Sequence, residues 1–125
     1  MINSSALIES KSLRESVIDR TEVLDKVKKL SMLPDDVNAS MELVAEFYEV
    51  PKQTVNSLIH DNREELESDG LKVLTGGELN SFKELGVIGK NTSAFTIIPR
   101  RAVLRIGMLL RDSQVARSVR DHLLN

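Results

Sequence analysis

The chain has 125 residues, no cysteine and a formal net charge of −2. That length suits one ordinary core, and the missing thiols exclude disulfides, thiolate catalysis and zinc–cysteine sites. Hydrophobic residues make up 41% and charged ones 29%, as in a globular protein, while Phe47, Tyr48, Phe82 and Phe95 are too few rings to stack a single strand.

The opening stretch, MINSSALIESKSLRES, is polar and serine-rich and lacks the apolar centre of a signal peptide. No apolar run approaches the ~18 residues of a membrane span, so a soluble, cytoplasmic protein with no membrane partner is expected. Residues 1–18 are read as flexible or ordered by a partner, because Leu7, Ile8, Leu13, Val17 and Ile18 form a stripe with no evident mate. A firmer helix is predicted from Thr21 to Ser31. Thr21 can cap it, Glu22 and Asp25 suit its start, Lys28 and Lys29 its end, and Pro34 stops it.

Ser40 then caps a helix over Met41 to Tyr48, and Pro51 opens another running to Asn62. EELESDG continues or ends it, with Gly70 as breaker. LKVLT (71–75) reads as a strand, Gly76-Gly77 as a turn into the short helix ELNSFKEL, GVIGKNTS as a loop, and AFTII (94–98) as a second strand. Pro99 starts PRRAVLRIGMLLR, and Ser113 caps SQVARSVRDHLLN. The expected fold is mainly α with a small two-stranded β wing: a winged helix-turn-helix over residues 19–98, then a C-terminal helical pair, 99–125, used for packing or dimerisation.

Residues 40–62, SMELVAEFYEVPKQTVNSLIHDN, carry the functional question. Val44, Ala45, Tyr48, Val50, Val55, Leu58 and Ile59 fit the inner faces of two helices crossing over a tight turn, with Ala45 as the small residue at their contact. The turn position where glycine is common is Glu49. An ordinary helical hairpin shares this spacing, but the outer face of the second helix does not look ordinary. From Lys52 to His60 there are nine residues without Asp or Glu, inside a region (residues 1–82) with nine Lys/Arg against sixteen Asp/Glu. Gln53, Thr54, Asn56, Ser57 and His60 are therefore candidates for reading base edges, since Gln and Asn can bond adenine and Lys52 can reach phosphate or guanine.

Candidate phosphate contacts are Lys52, Arg63, the loop residues Lys90, Asn91 and Thr92, and Arg100 with Arg101, followed one turn later by Arg105. Two plainer alternatives stay open: a solvated turn at the loop, and surface ion pairs between the arginines and Glu64, Glu65 or Glu67. Residues 83–125 carry eight Lys/Arg against three Asp/Glu, so the small net charge is the sum of two opposite parts. No catalytic pattern accompanies this. His60 and His122 lack metal-ligand spacing, LTGGEL lacks the phosphate-loop lysine and serine, and no serine sits in a nucleophile elbow. No enzyme activity and no cofactor are expected.

The stretches ELVAEFYEVPKQTVNSLIHDNREELESDG, LKVLTGGEL and IPRRAVLRIGMLLRDSQVARSVRDHLLN together resemble winged helix-turn-helix DNA-binding regulators of phages and mobile elements of Gram-positive bacteria. They are similar to the winged-helix module of antirepressor-type phage proteins. The resemblance spans roughly residues 20–125 and rests on pattern, not on a catalytic signature. The expected function is a sequence-specific regulator that binds double-stranded DNA with helix 51–62 in the major groove, as a homodimer because two-fold symmetry doubles the contacts and matches palindromic sites. The alternative is an antirepressor or inhibitor whose acidic scaffold binds another regulatory protein.

Overall fold

The computed structural model describes residues 5–84, 86, 88 and 92–124. In chain order the elements are α1 (Ala6–Glu9), α2 (Lys11–Val17), α3 (Val23–Val27), β1 (Asn38–Ala39), α4 (Met41–Tyr48), α5 (Lys52–Asp61), α6 (Arg63–Ser68), β2 (Lys72–Leu74), α7 (Gly76–Glu84), β3 (Phe95–Pro99), α8 (Arg100–Leu109) and α9 (Gln114–Leu124). The fold is mainly helical with a small antiparallel sheet.

The sheet corrects the expected two-stranded wing. It has three strands in the order β1-β3-β2, with Asn38 opposite Pro99 and Lys72, Val73 and Leu74 opposite Ile97, Thr96 and Phe95. β1 is only two residues long, too short for any alternation to show in sequence. A local turn delivers it. Asp35 Oδ1 accepts from the backbone N–H of Val37 and Asn38, each at 3.1 Å, and Asp36 takes φ 56°.

Several helix ends follow directly from their capping residues. Ser40 Oγ accepts from Leu43 N–H at 3.1 Å, and Ser113 Oγ accepts from Ala116 N–H at 3.0 Å. Ser113 also donates to the Tyr48 carbonyl at 2.7 Å, so one hydroxyl starts α9 and satisfies the end of α4. α6 closes on Gly70 (φ 101°) with the paired bonds Gly70 N–H to Glu67 O and Leu71 N–H to Leu66 O, the Schellman pattern.

The predicted helix from Thr21 to Ser31 is shorter than its spacing implied, because Lys28 turns extended (φ −173°, ψ 157°) and ends α3 at Val27. Leu30 and Leu33 then reach the interior from irregular chain, not from a helical face.

The core centres on α8, whose residues Ala102 to Met108 are all buried. The apolar faces expected to serve packing or dimerisation thus serve packing, with Ala116, Val119 and Leu123 of α9 closing against them. Tyr48 enters from α4, donating its hydroxyl to the Val103 carbonyl at 2.7 Å. Residues 6–18, expected to be flexible or ordered by a partner, form α1 and α2, and their stripe finds its mate inside the chain: Leu7 is 0% and Ile18 1% exposed.

A cluster of charge lies beneath this segment. Arg105, 0% exposed, donates from Nε to Asp69 Oδ2 at 2.6 Å, from Nη2 to Asp69 Oδ1 at 2.9 Å and from Nη1 to Glu65 Oε2 at 2.8 Å. Arg14 grips the same Glu65 with two bonds at 2.7 and 2.8 Å while its Nη1 bonds the carbonyls of Leu7 and Ile8. The expectation that Arg105 adds to a phosphate-binding edge is overturned, since no exposed atom remains to meet DNA.

Burial works against the charge on Glu65, but the hydrogen bond from Arg14 and the charges of Arg105 and Arg14 outweigh it and hold its pKa below the ordinary 4.5. A group whose folded pKa is depressed stabilises the fold above its unfolded value, and that stability is lost as pH falls through the folded one. Unfolding free energy should therefore hold down to about pH 5 and fall below it, and Glu65→Gln should flatten that acid limb in denaturant titrations run across pH.

Candidate nucleic-acid interface

α4 and α5 meet at a corner formed by Glu49, Val50 and Pro51. Glu49 is left-handed (φ 58°, ψ 46°), and its N–H closes onto the carbonyls of Ala45 and Glu46. It is here that the sequence carries glutamate where glycine is common. Lys28 partly compensates, bonding Glu49 Oε2 at 3.0 Å and lying 5.6 Å from the centre of the Phe47 ring. A β-branched residue cannot take this conformation cheaply. Glu49→Val should lower stability by about 1–2 kcal/mol, and Glu49→Gly should change it by less than about 1 kcal/mol because strain relief offsets the lost exposed ion pair. Thermal or urea unfolding of the two variants measures both.

The inner side of the corner is packed as the spacing requires. Val44, Ala45, Tyr48, Val55 and Ile59 are buried, and Val50 and Leu58 are half-buried. The outer side of α5 exposes Lys52, Gln53, Thr54, Asn56, Ser57 and His60. Gln53 Nε2 lies 3.5 Å from Ser57 Oγ one turn on, and His60 Nδ1 lies 3.6 Å from Asp61. Asn62 then breaks the helix, donating its side-chain amide to the Leu58 carbonyl at 2.9 Å and turning the chain into α6 before the acidic run begins.

These residues do not all share one surface. Gln53, Asn56 and Lys52 line a recess of about 390 Å³ together with Met41 of α4. Thr54 lines a different groove, with Val50, Leu58 and Leu109. Thr92 is half-buried and borders a cavity of about 660 Å³ whose wall includes Lys52, Leu43 and Phe95, so the start of β3 and the start of α5 meet there. Lys90 and Asn91 lie outside the described residues.

Among the described residues, the cations proposed for phosphate are engaged within the fold. Lys52 Nζ sits 2.7 Å from Glu42 Oε1, and Arg63 lies 3.5 Å from Glu67. Arg100 bonds Asp25 at 2.6 Å, and Arg101 holds Asp69 at 3.2 Å and also pairs with Asp19. The ion pairing left open for Arg100, Arg101 and Arg105 is present, but Arg100 and Arg101 pair with aspartates and Arg105 meets Glu65 in the interior, not at the surface. The pair at Lys52 is exposed on both sides, and such pairs contribute only about 0.2–1 kcal/mol, so an incoming phosphate can displace Glu42. Burial works against the charge on Glu42, but the hydrogen bond and charge of Lys52, helped by hydrogen bonds from the Glu42 backbone and Ser40, outweigh it and hold its pKa below the ordinary value.

Sequence reasoning missed Met41 and Glu42 as neighbours of this surface. Met41 precedes Val44 and Ala45 by one helical turn, so its spacing reads as interior, yet it is half-buried at the rim of the recess.

No family model, curated protein or solved structure matches this chain. Among the described residues no helix is long and apolar enough to cross a membrane.

Proposed function

We propose that the chain is a sequence-specific double-stranded DNA-binding regulator built on a winged helix-turn-helix, with α5 entering the major groove. The observation that carries this reading is the outer face of α5. From Lys52 to His60 that face exposes one lysine and five polar side chains and no carboxylate ahead of the exposed Asp61, on a helix anchored by buried Val55 and Ile59. The strand order β1-β3-β2 supports it, since the strand ahead of α4 pairs with the second strand of the expected wing.

The test is retention of duplex fragments from a genomic pool at low salt. Binding should weaken with salt by about 0.9 log units per log unit of salt for each phosphate neutralised. A chain that retains no duplex rules the reading out. A homodimer belongs to the proposal, and because the α8 and α9 faces are buried in the chain's own core, the second copy must use another surface. Solution mass and symmetry in the retained sites decide that part together.

The engagement of Arg63, Arg100 and Arg101 by carboxylates favours a second reading, a module that binds a basic regulatory protein through its acidic surface. Glu64 and Glu67 are exposed just beyond α5, whereas Glu65 is committed to Arg14 and Arg105. Charge reversal at Glu64 and Glu67 should abolish protein capture under this reading and spare it at Gln53 and Asn56. The DNA reading expects the opposite pattern in duplex retention.

A further inference from the structure

The recess formed by Met41, Lys52, Gln53 and Asn56 has a definite chemical character. Gln53 and Asn56 are carboxamides, each with a donor and an acceptor. Adenine shows the major groove an acceptor, N7, beside a donor, the N6 amino group, and one carboxamide satisfies both. Guanine shows two acceptors and calls for Arg or Lys, while cytosine shows a donor and calls for a carboxylate. The exposed face of α5 from Lys52 to His60 has no arginine and no carboxylate, and its one cation is held 2.7 Å from Glu42. Cytosine thus finds no carboxylate on this stretch, and with Lys52 on phosphate, as in the DNA-binding reading, guanine finds no arginine or free lysine.

Spacing and surroundings agree with this. Gln53 and Asn56 are three residues apart on one helix, about 4.5 Å along the axis, against ~3.4 Å per base step along one DNA strand. The two amides can therefore address neighbouring base pairs. Ser57 Oγ lies 3.5 Å from Gln53 Nε2, one turn on along the same helix. Met41 supplies an apolar thioether at the edge of the recess, the kind of group that packs on the thymine C5-methyl. Thr54, facing the other groove, is set apart from this row.

We infer that the Met41–Gln53–Asn56 recess is an A·T reader: the amides take adenine edges and Met41 takes the thymine methyl. This rests on the DNA-binding reading proposed above. Thr54 has no part in base selection.

The experiment selects bound duplexes from a pool with a randomised core, then rebuilds the selected core with single-atom analogues. The selected core should be rich in A·T. Replacing a contacted adenine by 7-deazaadenine removes N7 and should weaken binding by about 5- to 150-fold. That loss should vanish in whichever of Gln53→Ala or Asn56→Ala removes the partner. Replacing thymine by uracil removes only the methyl and should weaken binding severalfold in the wild type but not in Met41→Ala. Thr54→Ala should leave the selected core unchanged. Gln53 and Asn56 are exposed, so these variants do not depend on the core for folding, and circular dichroism verifies it. A G·C-rich selected core, or indifference to both analogues, overturns the inference while leaving DNA binding standing. Retention of no duplex at all overturns the DNA-binding reading and the inference with it.

Discussion

Arg105→Ala should lower the unfolding free energy by about 3–5 kcal/mol, as measured by urea denaturation. Arg105 is completely enclosed and holds Asp69, whose side chain is 1% exposed, with two hydrogen bonds, and Glu65 with a third. Truncation leaves Asp69 with Arg101 alone, at 3.2 Å, and Glu65 with Arg14. An uncompensated buried carboxylate is far costlier than a lost surface pair, and the change amounts to a large share of the ~5–15 kcal/mol that holds a domain together. Arg105→Lys should rescue little, because one ammonium cannot reproduce a fork that reaches two carboxylates. Replacing Arg105 and Asp69 together by apolar residues should recover part of the loss, since a well-packed apolar pair can match a buried ion pair. A loss below about 1 kcal/mol for Arg105→Ala would show that the cluster contributes little.

Gly107→Ala should also be severe, although Ala is the better helix former by about 1 kcal/mol at an ordinary site. Gly107 lies inside α8, and an added Cβ would stand 2.3 Å from the Tyr48 hydroxyl and 2.9 Å from its Cζ. Tyr48 is fully buried and tied to the Val103 carbonyl, so it has nowhere to retreat without losing that bond. Overpacking of about 1–3 kcal/mol and a strained or broken buried hydrogen bond of about 1–3 kcal/mol together give an expected loss of ~3 kcal/mol or more. The pair Gly107→Ala with Tyr48→Phe tests the cause, because removing the hydroxyl removes the nearest clash. The double variant should be less destabilised than the two single changes added together. Strict additivity would place the damage elsewhere.

The features legible in the sequence are those fixed by short-range chemistry. Ser40 and Ser113 as caps, Pro51 and Pro99 ahead of α5 and α8, Gly70 as breaker and the strain position at Glu49 each depend on a few adjacent residues. The exposed polar ridge of α5 was legible for the same reason, since its pattern repeats every helical turn. What stayed hidden depends on distant partners. Arg105 reads as one more surface arginine until Asp69, 36 residues away, and Glu65, 40 away, are placed around it. Arg14 lies in a serine-rich stretch, and only Glu65, 51 residues on, gives it a place inside. β1 exists because Asn38 and Ala39 meet Pro99 and Ile98, a pairing that two residues cannot announce. At the site, Met41 and the Glu42–Lys52 pair were hidden because they join two helices across the corner.

The way the first forty residues are secured sets the order in which the chain can fold during synthesis. α1 rests on α8, β1 pairs with β3, and Arg20 donates to the Leu123 carbonyl at 2.8 Å. Each of these partners leaves the ribosome some sixty to one hundred residues after the element it holds. The early segment therefore emerges with Leu7 and Ile18 unsheltered and must wait for the C-terminal third before its apolar stripe is covered. The fold can close only after α9 has emerged, and a nascent chain stalled before β3 presents an open segment around Leu7 and Ile18 to chaperones and proteases.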